Sequence, residues 1–300
     1  MGSKTKAAPQ SSDQPNIIVI ISDDHAYQAI GAYGNKIAHT PNIDRLAKEG
    51  ALLTNQLVTN SICGPSRACF LTGKYSHING YKANDGKFNV DQQLLSGLLS
   101  NAGYQTAWIG KWHLGTLPGK AFDHWEIMPD QGFYYNPDFI NKNNDTLRTE
   151  GYVTNIITDK ATQWLESRDK SKPFFLVVGE KATHREWLPA IQDLGAYGNI
   201  VFPLPATFFD EYEGRPAAKQ QYMTIADAMQ LDRDLKVNAD FNNFNLYKRM
   251  NATQRKAFAD YYQQKVTKDF EQKKPSGKDL ATWKYQRYMK DYYATANSLD

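Results

Sequence analysis

The sequence predicts an α/β fold, with a mostly parallel or mixed sheet between helical layers. Two observations carry that reading. Short apolar runs of strand length alternate with longer segments of helical periodicity. In addition, three polar clusters (Asp23-Asp24-His25, Lys111-Trp112-His113 and Lys181-Ala182-Thr183-His184) each stand just after a strand-like run. In open α/β sheets that edge is where ligands bind.

The elements follow in order. Asn16–Ser22 is a continuous apolar run, the pattern of a strand buried on both faces. Thr40 and Pro41 open a helix that Gly50 stops. Ala51–Val58 reads as a strand. Gly64-Pro65 leads into a short helix closed at Gly73, and Asp91–Gly103 reads as a capped helix. Tyr104–Gly110 is a strand running into Lys111-Trp112-His113. Tyr152–Arg168 is an amphipathic helix with Val153, Ile156, Ile157, Trp164 and Leu165 on one face. Pro173 then starts the strand Phe174–Val178. From Gly195 the pattern changes: Pro203–Pro216 is rich in proline and aromatics, and Thr224–Lys290 is mostly helical and polar. This second half reads as a helical and irregular insertion. Residues 1–15 read as a disordered N-terminal tail or an expression scar, and residues 16–300 as one domain.

Composition narrows the function classes. With 41% apolar and 22% charged residues, the 300-residue chain can bury a core, so global disorder is excluded. No apolar run reaches the ~20 residues of a membrane span. Two cysteines make no disulfide framework, and a net charge of +3 does not call for nucleic acid. The charge is nevertheless uneven. Tyr247–Lys290 holds twelve Lys and Arg against four Asp and Glu, a local +8 that fits either a solvated helix face or a polyanion surface.

The chemistry concentrates in a few strings. Cys63-Gly64-Pro65-Ser66-Arg67 sits at a helix start, whose amides and dipole favour an anion, with Arg67 one turn along to hold it. Cys69 lies six residues on, about 9 Å along a helix axis at ~1.5 Å per residue, too far for a disulfide with Cys63; it reads as core. Asp23 and Asp24 offer hard oxygens suited to a cation such as Ca²⁺, although either alone would read as a helix cap.

The string CGPSRACFLTG (residues 63–73) resembles the signature of the type I, formylglycine-dependent sulfatases, in particular bacterial carbohydrate sulfatases. The Asp23-Asp24 pair, His39–Gly50 and Gly110–Gly115 agree with it, and the resemblance runs from about Asn16 to Trp187. It implies an alkaline-phosphatase-like α/β/α sandwich. It also implies that Cys63 is oxidised to formylglycine (3-oxoalanine) by a formylglycine-generating or anaerobic sulfatase-maturating enzyme. One hydroxyl of the aldehyde hydrate would attack sulfur, and the second would release sulfate. Asp23, Asp24 and the residue-63 side chain would hold Ca²⁺. Arg67 would hold the hydrate, Lys111 would neutralise sulfate oxygens, and His113 would take the proton for sulfate release. His184 would contact the sulfate and protonate the leaving oxygen. Arg185 and Trp187 would grip a sugar, or else anchor the loop.

Two departures from the family pattern stand out. Thr183 and Glu186 replace the usual prolines around the histidine. The late strand that normally brings further metal ligands is not found after His184, so the chain is expected to be an N-terminal portion, inactive by itself and weak in Ca²⁺ binding. The expected function is hydrolysis of a carbohydrate sulfate ester, such as 6-O-sulfated N-acetylglucosamine of host glycans, by a periplasmic or exported protein. The alternatives are a phosphodiesterase or phosphonate hydrolase of the same superfamily, and a non-catalytic sulfated-glycan binding protein.

Overall fold

The computed structural model describes residues 14–300, so the expected N-terminal tail lies outside the described residues except for Gln14 and Pro15. The first part of the chain runs β1 (Ile17–Ile21), α1 (Pro41–Glu49), α2 (Cys63–Thr72), α3 (Ser76–Asn79), α4 (Leu95–Asn101) and β2 (Gln105–Lys111). Then come β3 (His124–Met128), β4 (Asp138–Asn141), β5 (Thr146–Arg148), α5 (Val153–Ser167) and β6 (Phe174–Gly179). The remainder is irregular up to Met250 apart from short helices, and helical thereafter: α6 (Pro216–Gln220), α7 (Ile225–Ala228), α8 (Ala252–Tyr261), a π-helical stretch Tyr262–Thr267, α9 (Lys268–Lys273) and α10 (Gly277–Asn297). The chain divides into two compact units. One comprises the residues up to Asp23 together with Asn55–Lys181; the other comprises Asp24–Thr54 and Ala182–Asp300.

The first unit contains the sheet, in the order β1-β6-β2-β3-β4-β5. β1, β6, β2 and β3 are parallel, and β4 and β5 turn back antiparallel. The mixed α/β sheet expected from the sequence is therefore present. Ile21 and Gly110 both register against Gly179, which puts the carboxyl ends of β1, β2 and β6 side by side. Trp108, Trp112, Phe122, Phe175 and Val177 form the centre of the core, with Trp108 edge-on to Trp112 at 4.9 Å. α5 lies within a residue of its expected bounds and buries Val153, Ile156, Ile157 and Trp164.

Three expectations need correction here. β1 is an outer strand of this sheet, and only one of its faces is covered; on the other, Ile18 and Ile20 remain 50% and 62% exposed. Ala51–Val58 pairs with no strand and runs exposed, because apolar residues make a strand only when a neighbour takes their backbone hydrogen bonds. α4 begins at Leu95 rather than Asp91: Gln92 spends its side-chain amide on the carbonyls of Asn79 and Asn89, and Asn89 takes the Asp91 amide.

The second unit buries Ala29, Tyr197, Phe202, Tyr285, Tyr292 and Tyr293. α10 ends at Asn297, and the Asp300 carboxylate accepts from the amides of Asn42 and Ile43 at 3.0 and 2.8 Å, capping the start of α1. The second half, expected as an insertion, thus shares a unit of its own with Asp24–Thr54. No helix among the described residues is long and apolar enough to cross a membrane.

Candidate active site

In the first unit the sheet edge gathers five of the sequence-predicted residues. Asp23 follows β1 and is 5% exposed. A carboxylate that deep needs a counter-charge, and the ammonium of Lys111, at the end of β2 and fully buried, donates to it. Arg67, on the first turns of α2, places Nη2 4.0 Å from Asp23 Oδ1 and donates from Nη1 to the Lys111 carbonyl at 2.8 Å. Trp108 Nε1 donates to the same carbonyl at 3.1 Å. Cys63 opens α2, and its Sγ lies within 4.8 Å of an Asp23 carboxylate oxygen. Gly64 lies so close to the His113 carbonyl and the Tyr81 ring that a Cβ would collide with both. Its amide donates to Asn84 Oδ1 at 3.0 Å. The start of α2 is thereby seated against the strand end that carries Lys111 and His113.

Two glycines make this seating possible. A Cβ at Gly110 would overlap the Gly179 carbonyl, and one at Gly179 would overlap the Lys111 carbonyl and crowd Arg67 Nη1.

His113 is the basic group of the cluster. Burial first, then repulsion from Lys111, brings it down to about 4, with Asp130 opposing. It is therefore neutral at pH 7 and able to accept a proton. Its Nε2 stands 3.0 Å from Gln131 Nε2 and 3.4 Å from Asp130 Oδ1, while Gln131 Oε1 accepts from Lys111. Sequence reasoning missed Gln131 and Asn84. Gln131 follows β3, so the strand-end rule applied to one more strand would have found it; nothing local signals Asn84.

Glu180, next along the β6 end, is a buried carboxyl whose Oε2 has no hydrogen-bond partner among the described residues. Burial pushes it up to about 8, against the opposing effect of Thr154. Its folded pKa lies above its unfolded one, so folding favours the protonated form. That contribution is complete below about pH 4.5 and is lost as pH rises through 8. Stability should accordingly fall by roughly 3 kcal/mol between pH 5 and 7.5 through this group alone. Glu180→Gln should remove that part of the fall, as checked by urea unfolding of both proteins at the two pH values; parallel curves would refute it.

The second unit carries the other predicted residues. Asp24 adopts a left-handed backbone, φ 57°, with an exposed carboxylate. Its carbonyl accepts from Thr183 Oγ1 at 3.0 Å and from the Tyr292 hydroxyl at 2.9 Å. His184 Nε2 comes to 3.7 Å from Asp24 Oδ2, and its Nδ1 lies 2.6 Å from the Arg185 carbonyl. Thr183, where the family pattern has proline, thus ties the histidine loop down through its hydroxyl. Arg185 makes a two-pronged pair with Asp234 at 2.6 and 2.7 Å, and Trp187 packs edge-on to Tyr288 at 4.6 Å. Both serve as loop anchors.

Beneath this loop lies Lys236, fully buried. Its ammonium donates to the carbonyls of Glu186 (2.7 Å), Trp187 (3.1 Å) and Asp234 (2.9 Å), and to Asp291 Oδ2 (3.2 Å). Asp291 is shared with Arg287 and with the Tyr262 hydroxyl at 3.0 Å. No sequence motif announced this network.

The donor chemistry fits the cation the sequence implied. Asp23 and Asp24 are consecutive carboxylates with hard oxygens, one buried and one exposed, the donor type that Ca²⁺ takes. Cys69, expected as core, is only half-buried and meets Ser76 Oγ at 3.4 Å and the Asn79 amide at 3.7 Å.

The chain matches the family model described as Sulfatase over residues 15–300. N-acetylglucosamine-6-O-sulfatase of Bacteroides thetaiotaomicron is 45% identical over 308 residues, covering 98% of this chain and 55% of that protein. Human N-acetylgalactosamine-6-sulfatase is 32% identical over 224 residues, covering 61% of this chain and 41% of its own length. A structure solved in complex with its substrate D-glucosamine-2-N,6-O-disulfate superposes with a TM-score of 0.91 at 45% identity, covering 96% of this chain and 60% of that one. The chain therefore spans about half the length of the relatives it matches.

Proposed function

Since this chain belongs to the sulfatase family, we propose that it carries the nucleophile and the acid–base groups of an enzyme that hydrolyses a carbohydrate sulfate ester. The observation that carries the reading is the convergence of Cys63, Arg67, Lys111 and His113 around Asp23 at one sheet edge. A 6-O-sulfated N-acetylglucosamine or glucosamine unit is the substrate, a choice supported by the names of the two relatives at 45% identity.

Position 63, once converted to formylglycine by a maturating enzyme, supplies an aldehyde hydrate with one hydroxyl for attack and another for release. Asp23 and Asp24 would be among the groups that hold Ca²⁺, which when bound would supply polarisation of the sulfate. The remaining work belongs to this chain's side chains. Arg67 fixes the oxygens at position 63 through its planar fork. Lys111 offsets negative charge as it builds on the sulfate oxygens. His113, neutral at working pH, takes the proton of the second hydroxyl as sulfate leaves. His184 gives a proton to the departing sugar oxygen, held by its loop and facing Asp24. Arg185 and Trp187 shape that loop, and the exposed edge of Arg185 meets the sugar. The protein works in the periplasm or outside the cell, as an exported carbohydrate sulfatase.

Mass spectrometry of the matured protein tests this. The peptide containing position 63 should weigh about 18 Da less than its thiol form. The matured enzyme that contains this chain should release sulfate from N-acetylglucosamine-6-sulfate faster than from N-acetylgalactosamine-6-sulfate. A peptide found only as thiol would overturn the mechanism, and a reversed sugar preference would overturn the substrate.

A further inference from the structure

The basic segment singled out in the sequence does not remain a plain solvated face. In the second unit it walls a cavity of about 910 Å³, within the ~300–1,000 Å³ of typical ligand sites. Five Lys and Arg side chains line it, against two carboxylates, Asp269 and Asp279. Asp269 is already engaged by Trp283 Nε1 and by Lys273, each at 2.8 Å. Arg287 is the fixed member of the group. It is 7% exposed, held by Asp291 and by the Tyr261 hydroxyl at 3.3 Å, yet its buried Nε has no partner among the described residues.

Lys290 stands nearby, donating to the Gly198 carbonyl at 2.7 Å. Burial, and then repulsion from Arg287, holds its ammonium below the usual lysine range, with Asp269 opposing and Lys273 adding to the effect. Even counting Asp291, which holds Arg287, three carboxylates face five cations here, and an anion placed among them would relieve the remaining repulsion. Tyr261 and Trp283 add ring surface to the same wall. None of Asp24, His184, Arg185 and Trp187 lines the cavity.

We propose that this cavity is a binding subsite for a sulfated glycan segment, with sulfate groups on Arg287, Lys290 and the flanking lysines and a sugar face against the aromatic wall. The need for an anion follows from the cavity itself; the choice of a sulfated glycan rests on the proposed function.

The test uses a heparin-derived hexasaccharide as probe and Cys63→Ala protein, in which no turnover confuses binding. Lys265→Glu/Lys274→Glu changes two exposed cations of the cavity, and Lys248→Glu/Lys256→Glu changes two exposed cations of the same basic segment outside it. Calorimetry at fixed ionic strength should show the cavity pair weakening the hexasaccharide by about tenfold or more and the control pair by less than about twofold. The desulfated hexasaccharide should not bind. Equal weakening by both pairs would overturn the subsite and leave only diffuse attraction. An oligodeoxythymidylate of matched charge that binds as tightly, and is weakened by the same cavity pair, would overturn the glycan assignment. Sulfate release from N-acetylglucosamine-6-sulfate, measured on the matured enzyme that contains this chain with Cys63 intact, should be unchanged by the cavity pair. Its absence from that wild-type enzyme would count against the proposed function, while the binding result would still decide the subsite.

Discussion

Lys111→Met in calcium-free protein is expected to lower the unfolding free energy by about 3–5 kcal/mol, the range for removing one partner of a buried ion pair. Asp23 would keep its depth but lose the ammonium that donates to it, with the Arg67 guanidinium still 4.0 Å away. The methionine fills the same space, so packing loss contributes little. Excess calcium should narrow the difference, because a cation beside Asp23 offsets the same charge. Urea unfolding with and without calcium reads both effects. A loss within about 1 kcal/mol would mean that Lys111 does not hold Asp23 in the folded protein. The same substitution should abolish measurable turnover, because the proposed sulfate-neutralising charge is gone.

In the matured enzyme that contains this chain, Lys236→Met is expected to reduce kcat by about a hundredfold while changing KM by less than about threefold. Lys236 touches no reacting group in the proposed mechanism. It holds the carbonyls of Glu186 and Trp187, and through Asp234 it steadies the Arg185 anchor, so its loss loosens the loop that presents His184. A merely structural lysine would lower thermal stability and the yield of folded enzyme without changing kcat per folded molecule. The kcat and KM of the purified folded variant therefore separate the two roles. Lys236→Arg should rescue poorly, since a planar guanidinium does not reproduce three donors converging from one point.

The parts of this site readable in advance share one property: their meaning is local. A strand end followed by polar residues places Asp23, Lys111 and His113 at the carboxyl edge of the sheet, and the contiguous Cys63–Arg67 string sets a nucleophile candidate and its guanidinium on one helix turn. What was not legible depends on partners far along the chain. The pairing of Lys111 with Asp23 spans 88 residues, and Lys236 reaches a loop some fifty residues away. Neither separation leaves a periodic trace. Ala51–Val58 shows the converse error, in which local β propensity was present but no strand offered the hydrogen bonds to use it. Trp187 shows why composition alone left two roles open: an aromatic ring serves a sugar or a tyrosine equally well, and here Tyr288 occupies its edge.

Gly110 and Gly179 give the site a mutational profile that its chemistry would not suggest. Neither has a functional group, yet alanine at Gly110 drives a methyl into the Gly179 carbonyl, and at Gly179 into the Lys111 carbonyl that Arg67 holds. Gly110 is further restricted by its φ of 101°. A saturation library screened for activity would therefore record dead clones at two inert positions as consistently as at the charged ones. A ranking of residues by intolerance alone would mistake clearance for catalysis.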